Sequence, residues 1–183
     1  MKVNTSQQYV SDLAFEADPR RQQELRGRPI ADALYRKLIS PDIAIRRFDG
    51  TVDWVLDKRF ALDVQIRLPS GMMLYGQEKF LSWEYAKYAS LTIEYQQNQF
   101  TGEQGDWFKL PAQFYFVGYF TKVGTAFWPW ALVDWPALVL ATNNGSAMWQ
   151  ENANHDGFAR ASFRYIRIRD LPAKCVIAWG YEW

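Results

Sequence analysis

The feature that most constrains the fold is a pair of strand-like segments joined by a short turn. Residues 60–68 (FALDVQIRL) alternate apolar and polar side chains, which places four apolar residues on one face and Asp63 on the other. Residues 69–71 (PSG) form a three-residue turn that ends on glycine, where a left-handed backbone is often needed. Residues 72–81 (MMLYGQEKFL) then return, so the sequence predicts an antiparallel β-hairpin.

The polar face of this hairpin carries three side chains that suit one site. With a three-residue loop, Asp63 faces Gln77, and Lys79 lies two residues further along the same face. Opposed side chains have Cβ atoms about 5 Å apart, close enough for Asp63 and Gln77 to share one metal ion. A register slip of one residue would instead bring Glu78 to this face and remove Gln77.

These three residue types together suit phosphodiester hydrolysis. Mg²⁺ prefers carboxylate and carbonyl oxygens, which Asp63 and Gln77 supply, and water completes its shell. A lysine beside the ion can orient or activate the attacking water, or stabilise negative charge that develops on phosphorus. The alternative is a solvated strand face with a modest surface salt bridge.

Helical signals dominate the first forty residues. One helix ends at Asp18-Pro19, and a second runs over residues 20–38 or starts only near Pro29. A further short helix over residues 130–140 is interrupted by Pro136.

Strand signals dominate the rest of the chain. Residues 113–120 (QFYFVGYF) are apolar on both faces, which is typical of a central strand. Other strands are predicted over residues 43–48, 90–95, 158–169 and 174–181. Helices followed by a hairpin and then mixed elements predict an α/β fold with a mixed central β-sheet flanked by helices. A length of 183 residues predicts a single domain over residues 1–183.

Charge and composition exclude several classes of protein. The net charge of +1 excludes a protein that grips nucleic acid or membrane by bulk charge alone. One cysteine, Cys175, excludes an internal disulfide and a cysteine-cluster zinc site. The one histidine, His155, excludes histidine-rich metal sites, and its polar surroundings predict a solvated loop residue.

The sequence shows neither a signal peptide nor an apolar run of the ~20 residues that a membrane-spanning helix needs. We therefore expect no membrane partner and a cytoplasmic location.

Two groups of arginines are candidates for binding phosphates. Arg20 and Arg21 lie near the turn between the first two predicted helices, and Arg167 and Arg169 share a face of a late predicted strand. Such contacts would position a nucleic acid without reading its sequence. The alternative for each group is a solvated surface balanced by nearby acids.

The order of Asp63, a hairpin, and then Gln77-Glu78-Lys79 resembles the PD-(D/E)xK nuclease superfamily, which has the restriction-endonuclease-like fold. The segments DKRFALDVQI, LYGQEKF, LTIEY and GDWFKLPAQFYFVGYF also resemble small phage and microbial proteins of this type, and the resemblance spans residues 16–120. In that family the acid lies on the second core strand and an (Asp/Glu/Gln)-x-Lys motif on the third. An N-terminal helix often supplies a further glutamate, for which Glu16 is the matching position.

Two departures from the family pattern bear on activity. Gln77 stands where most members carry an acid, and Leu62 stands where a proline usually precedes the acid. Both departures raise the alternative of weaker metal binding or lost catalysis.

The resemblance implies a hydrolase of a microbial or phage-infected cell that uses Mg²⁺ (or Mn²⁺) to cut DNA in preference to RNA. Asp63, Gln77 and Glu16 would hold the ion, and Lys79 would assist the attacking water. One alternative is a catalytically silent module of the same fold that binds nucleic acid or protein. Another is an accessory viral protein in which the hairpin face is only surface. Roles for Glu78 and Asp57 and the oligomeric state stay open.

Overall fold

The computed structural model describes residues 18–48, 54–153 and 161–180. Its α-helices are α1 (Pro19–Leu38), α2 (Trp54–Phe60) and α3 (Trp135–Asn143). Its strands are β1 (Ala44–Arg47), β2 (Val64–Arg67), β3 (Met73–Leu81), β4 (Ser90–Asn98), β5 (Glu103–Gln104), β6 (Phe114–Phe120), β7 (Phe127–Asp134), β8 (Gln150–Ala153), β9 (Ser162–Arg167) and β10 (Val176–Gly180). Short 3₁₀ helices occupy Trp83–Tyr85, Asp106–Phe108, Ile168–Asp170 and Ala173–Cys175. The predicted first helix lies outside the described residues.

Two sheets organise the chain. The larger has six strands in the order β1-β2-β3-β6-β7-β10, and the smaller has four in the order β5-β4-β9-β8. In the larger sheet β3 and β6 run parallel, whereas its other neighbouring strands are antiparallel. The prediction of an α/β protein with a mixed central sheet is therefore confirmed. The second sheet was not predicted.

The hairpin forms in the predicted register. Val64 pairs with Gly76 and Arg67 with Met73. Gly71 adopts φ of 86°, the left-handed conformation for which glycine is suited. The register fixes which face each β3 side chain occupies, so the alternative of a one-residue slip is wrong.

Each face of the central sheet packs against a different layer. On one face, α1 contributes Ala31 and Tyr35 to a core shared with Val64, Ile66 and other residues of the sheet. On the opposite face, the second sheet and α3 pack against side chains such as Tyr115 and Val117. All seven residues of β6 are buried between these layers, which confirms its prediction as a central strand.

The predicted long strand over residues 60–68 is wrong in its first half. Helix α2 runs through Phe60, and Ala61 then turns the chain with φ of 50°. The Leu62 N–H donates to the Leu56 carbonyl oxygen at 3.0 Å, and Leu62 joins the core on the second-sheet side. The local helix and turn override the alternation, so the strand starts only at Val64.

Neither Pro29 nor Pro136 interrupts a helix. Helix α1 continues through Pro29 from Pro19 to Leu38. The predicted helix over residues 130–140 is instead the end of β7 followed by α3, whose N-cap Asp134 accepts a hydrogen bond from Ala137 N–H at 2.9 Å. Pro136 lies in the first turn of α3, where a missing N–H leaves no helical hydrogen bond unmade.

Within the described ranges, no helix is both long enough and apolar enough to cross a membrane.

Candidate functional site

The alternation of β3 turns Gln77 and Lys79 toward the second sheet. Phe80 packs in the core beneath α1, and Tyr75 packs in the opposite core. Gln77 and Lys79 lie on the same face of β3 as Tyr75, because alternate residues of a strand share a face. The Lys79 side chain donates to a backbone carbonyl of β4. Asp63 lies just before the last hairpin pair, Val64 with Gly76, and its charge acts on Tyr115, which lies beside Gln77 on this face.

Asp63 closes the end of the hairpin with its side chain. Its N–H donates to the Gly76 carbonyl at 3.0 Å, and its Oδ2 accepts from the Glu78 N–H at 2.8 Å. Because the chain turns away from the sheet at Leu62, the Asp63 carboxylate accepts the hydrogen bond from Glu78 that a backbone carbonyl of a longer strand would accept. Burial raises the pKa of Asp63 well above its usual range, although the Glu78 N–H opposes the shift. This carboxylate would be stabilised by a proton or by a cation.

The side-chain oxygen of Gln77 is buried without a hydrogen-bond partner in the described part of the chain. Its Nε2 donates to Asp106 Oδ2 at 3.5 Å, whereas its Oε1 has no hydrogen-bond partner among the described residues. Flipping the amide would set two oxygens against each other, so the carboxylate of Asp106 supports this orientation. Buried acceptors are rarely left unsatisfied, and an orphaned amide oxygen on the strand that Asp63 contacts suits an oxygen-liganded cation.

Lys79 lies between the two sheets. Its Nζ donates to the Thr92 carbonyl of β4 at 3.4 Å and lies 5.5 Å from the centre of the Phe163 ring. The Tyr115 hydroxyl donates to the same Thr92 carbonyl at 2.8 Å. The ammonium group therefore has a defined position on the face that carries Asp63 and Gln77.

A cavity of about 810 Å³ opens beside Lys79. Lys79, Lys87, Arg167 and Arg169 contribute its cationic groups. Aromatic rings and small side chains complete the wall, and none of the described lining residues is acidic. The structure thus brings Lys79 together with two of the predicted phosphate-binding arginines, although Arg169 lies in a 3₁₀ helix just beyond the end of β9.

The remaining candidates lie elsewhere. Arg21 on α1 pairs with Glu24 at 3.2 Å and does not line the cavity. Asp57 lies in α2, where it pairs with Lys58 at 3.4 Å and adds to the raised pKa of Asp63. Glu16 and the side chain of Arg20 lie outside the described part of the structure, so their predicted roles stay predictions.

Three polar residues of this site were not singled out from the sequence. Asp106 begins the short 3₁₀ helix Asp106–Phe108, which was not predicted from the sequence. Tyr115 lies beside Gln77 on β6, and burial raises its pKa well above the usual range, with Asp63 and Asp106 adding to the shift. Burial also raises the pKa of the half-buried Glu94, and Asp106 adds to it. The alternation in LTIEY, which puts Thr92 and Glu94 on one strand face, is a signal that could have identified Glu94.

The donor set fits a cation only in part. Among the residues that the structure describes, no group of three or more His, Cys, Asp or Glu side chains could hold a metal ion. Asp63 and Gln77 offer two oxygens of the type that Mg²⁺ prefers. Asp106, next to Gln77, is already paired with Lys109 at 3.0 Å. Glu16, the third ligand that the resemblance implies, lies outside the described residues.

In metal-free protein, stability is expected to fall as the pH rises from about 4 toward the raised pKa of Asp63. Folded protein then binds more protons than unfolded protein, so the free energy of unfolding decreases with pH. Asp63→Asn keeps an acceptor for the Glu78 N–H without the charge, so it should lose less stability over this range. Urea unfolding in EDTA at pH 5 and pH 8 measures this. An equal pH dependence in both proteins would contradict it.

No family model, curated protein or solved structure matches this chain.

Proposed function

We propose that this chain is a metal-dependent nuclease that hydrolyses phosphodiester bonds, in DNA rather than RNA, at the face formed by Asp63, Gln77 and Lys79. The observation that carries the proposal is the buried Gln77 Oε1, which has no hydrogen-bond partner among the described residues and lies on the strand that Asp63 contacts through the Glu78 N–H. Lys79 on that face also lines a cationic cavity, so a cation site and a phosphate-binding site would adjoin.

The position of the site in the sheet supports a restriction-endonuclease-like core. Asp63 directly precedes the second strand of the β1-β2-β3 meander, and Gln77 and Lys79 lie on the third. Helix α1 packs against the same meander from its other face. This is the placement of acid and (Asp/Glu/Gln)-x-Lys that the resemblance to the PD-(D/E)xK superfamily implies.

The chain's own residues would divide the work. Asp63 and Gln77 would hold Mg²⁺ or Mn²⁺, with Glu16 as a third ligand. When bound, such an ion lowers the pKa of its water and neutralises phosphate charge. Lys79 would orient the attacking water and stabilise charge that develops on the phosphoryl oxygens. Tyr115 would act as a positioning residue, because it shares the Thr92 carbonyl with Lys79.

A catalytically silent nucleic-acid-binding module of the same fold is the second candidate. Asp63 Oδ2 already accepts the Glu78 N–H, and within the described ranges no group of three or more His, Cys, Asp or Glu side chains could hold a metal ion. Such a module would keep the cationic cavity and bind nucleic acid without cutting it.

The nuclease assignment is tested with labelled DNA in Mg²⁺ or Mn²⁺. We expect metal-dependent cleavage that EDTA abolishes. Gln77→Ala should reduce the cleavage rate by at least about tenfold, because loss of a residue that only supports a metal ligand already costs about that much. Gln65→Ala is the matched control, because Gln65 lies on the same hairpin face but donates to the Tyr75 hydroxyl at 2.8 Å. Mg²⁺ should also raise the melting temperature of wild type and of Gln65→Ala but not of Gln77→Ala. Absence of cutting with either ion, or undiminished cutting in EDTA, would overturn the assignment.

A further inference from the structure

The cavity beside Lys79 combines positive charge with exposed aromatic rings. We propose that it binds unpaired nucleotides of a single-stranded nucleic acid, with Lys87, Arg167 and Arg169 on the phosphates and tyrosine rings on the bases. The role of this strand as substrate rests on the proposed function, whereas its binding does not.

The charge of the cavity favours a polyanion. Lys79, Lys87, Arg167 and Arg169 line it, and none of the described lining residues carries a carboxylate. The ion pair between Arg169 and Asp170, at 3.8 Å, is about half exposed on both sides and is therefore weak. Cations gathered in a concavity concentrate their field, which attracts phosphates and speeds association.

The aromatic residues favour unpaired bases. Tyr85 and Tyr88 line the cavity although they are 55% and 57% exposed, and Tyr165 lines it from β9. Lys87 Nζ lies 5.0 Å from the centre of the Tyr88 ring, so a cation and a stacking surface stand side by side. Bases stack on such rings when their faces are open, at about 1–3 kcal/mol per base. In a duplex those faces are covered by neighbouring base pairs.

The size and position of the cavity agree with this occupant. A volume of about 810 Å³ lies within the range of roughly 300–1,000 Å³ that pockets for small organic ligands span. The cavity can therefore enclose individual nucleotides. Lys79 belongs both to the cavity and to the face of Asp63 and Gln77, so a bound strand would lead a phosphodiester toward that face.

Fluorescence anisotropy in EDTA tests binding apart from cleavage. The probes are a labelled oligothymidylate of about 15 nucleotides, within the site sizes of single-strand binding proteins, and a duplex of equal length. Wild type should bind the single strand more tightly than the duplex. The double variant Arg167→Ala/Arg169→Ala should bind it at least about tenfold more weakly, and its salt slope should shrink by about 0.7 per lost phosphate contact.

The aromatic contribution is measured separately. Tyr88→Ala should weaken binding by about 5- to 150-fold, which corresponds to the stacking of one base, whereas Tyr88→Phe should bind like wild type.

Arg36→Ala/Arg46→Ala is the matched charge control for Arg167→Ala/Arg169→Ala, because Arg36 and Arg46 lie outside the cavity lining. Melting temperatures check that each variant is folded.

The outcomes separate the two proposals. Binding that depends on Arg167, Arg169 and Tyr88, in a protein that never cuts, would support the cavity and reject the nuclease. Metal-dependent cutting with single-strand binding unaffected by the cavity variants would reject the cavity alone. A preference for duplex, or an equal loss in the charge control, would also overturn the inference.

Discussion

Glu78→Ala is expected to lower the free energy of unfolding by about 3–5 kcal/mol, because it leaves a buried guanidinium without its main partner. The Glu78 side chain is 4% exposed and that of Arg47 10% exposed. Glu78 accepts from Arg47 Nε at 2.7 Å and from the Tyr35 hydroxyl at 2.9 Å. Burial raises the pKa of Glu78, and the bonds from Arg47 and Tyr35 oppose that shift. Without the Glu78 carboxylate, the ion pair with Asp32 at 2.6 Å is the one that still offsets the cost of burying the Arg47 guanidinium among the described residues.

Glu24→Ala is the control for this loss. Glu24 also lies in an acid–arginine pair, with Arg21 at 3.2 Å, but its side chain is 53% exposed. Exposed pairs contribute at most about 1 kcal/mol, so this variant should unfold close to wild type in urea. A loss for Glu78→Ala no larger than that for Glu24→Ala would contradict the role assigned to the buried network.

The same residue shows what the sequence could predict. The alternation of side chains and a glycine at the end of a three-residue turn favoured one register over a one-residue slip, and the structure has the favoured register. That register sends Glu78 to the α1 face and leaves Gln77 and Lys79 on the other. The ion pair with Arg47 could not be predicted, because it depends on how β1 and α1 meet across the sheet.

The set of residues that lines the cavity could not be predicted from local sequence patterns either, because it depends on contacts between distant segments. Residues 90–95 were predicted as a strand, but their partner β9 lies far along the chain, and pairing between such segments is set by packing. Asp106 reaches Gln77 from a 3₁₀ helix whose position the alternation of neighbouring strands does not determine. Arg167 and Arg169 were identified as a pair, yet their convergence with Lys79 follows only from the second sheet.

Lys79→Met is expected to reduce the cleavage rate at saturating DNA by about 10²- to 10⁴-fold, the range typical of a side chain that assists proton transfer. Methionine keeps most of the length and apolar contact of lysine and removes the ammonium group. That group is held on the face of Asp63 and Gln77 by the Thr92 carbonyl and the Phe163 ring. Measuring under single-turnover conditions at saturation separates this effect from weaker binding in the cavity, which the same charge also affects.

Lys122→Met is the matched control, because Lys122 does not line the cavity. It removes the same charge from the chain, so the change in net charge that governs DNA encounter is equal in both variants. We expect Lys122→Met to cut at nearly the wild-type rate, and both variants to melt within a few degrees of wild type. If Lys79→Met cut as fast as Lys122→Met while both remained folded, Lys79 would have no part in the chemistry. The proposed cation site at Asp63 and Gln77 would then have to act without the ammonium group of Lys79.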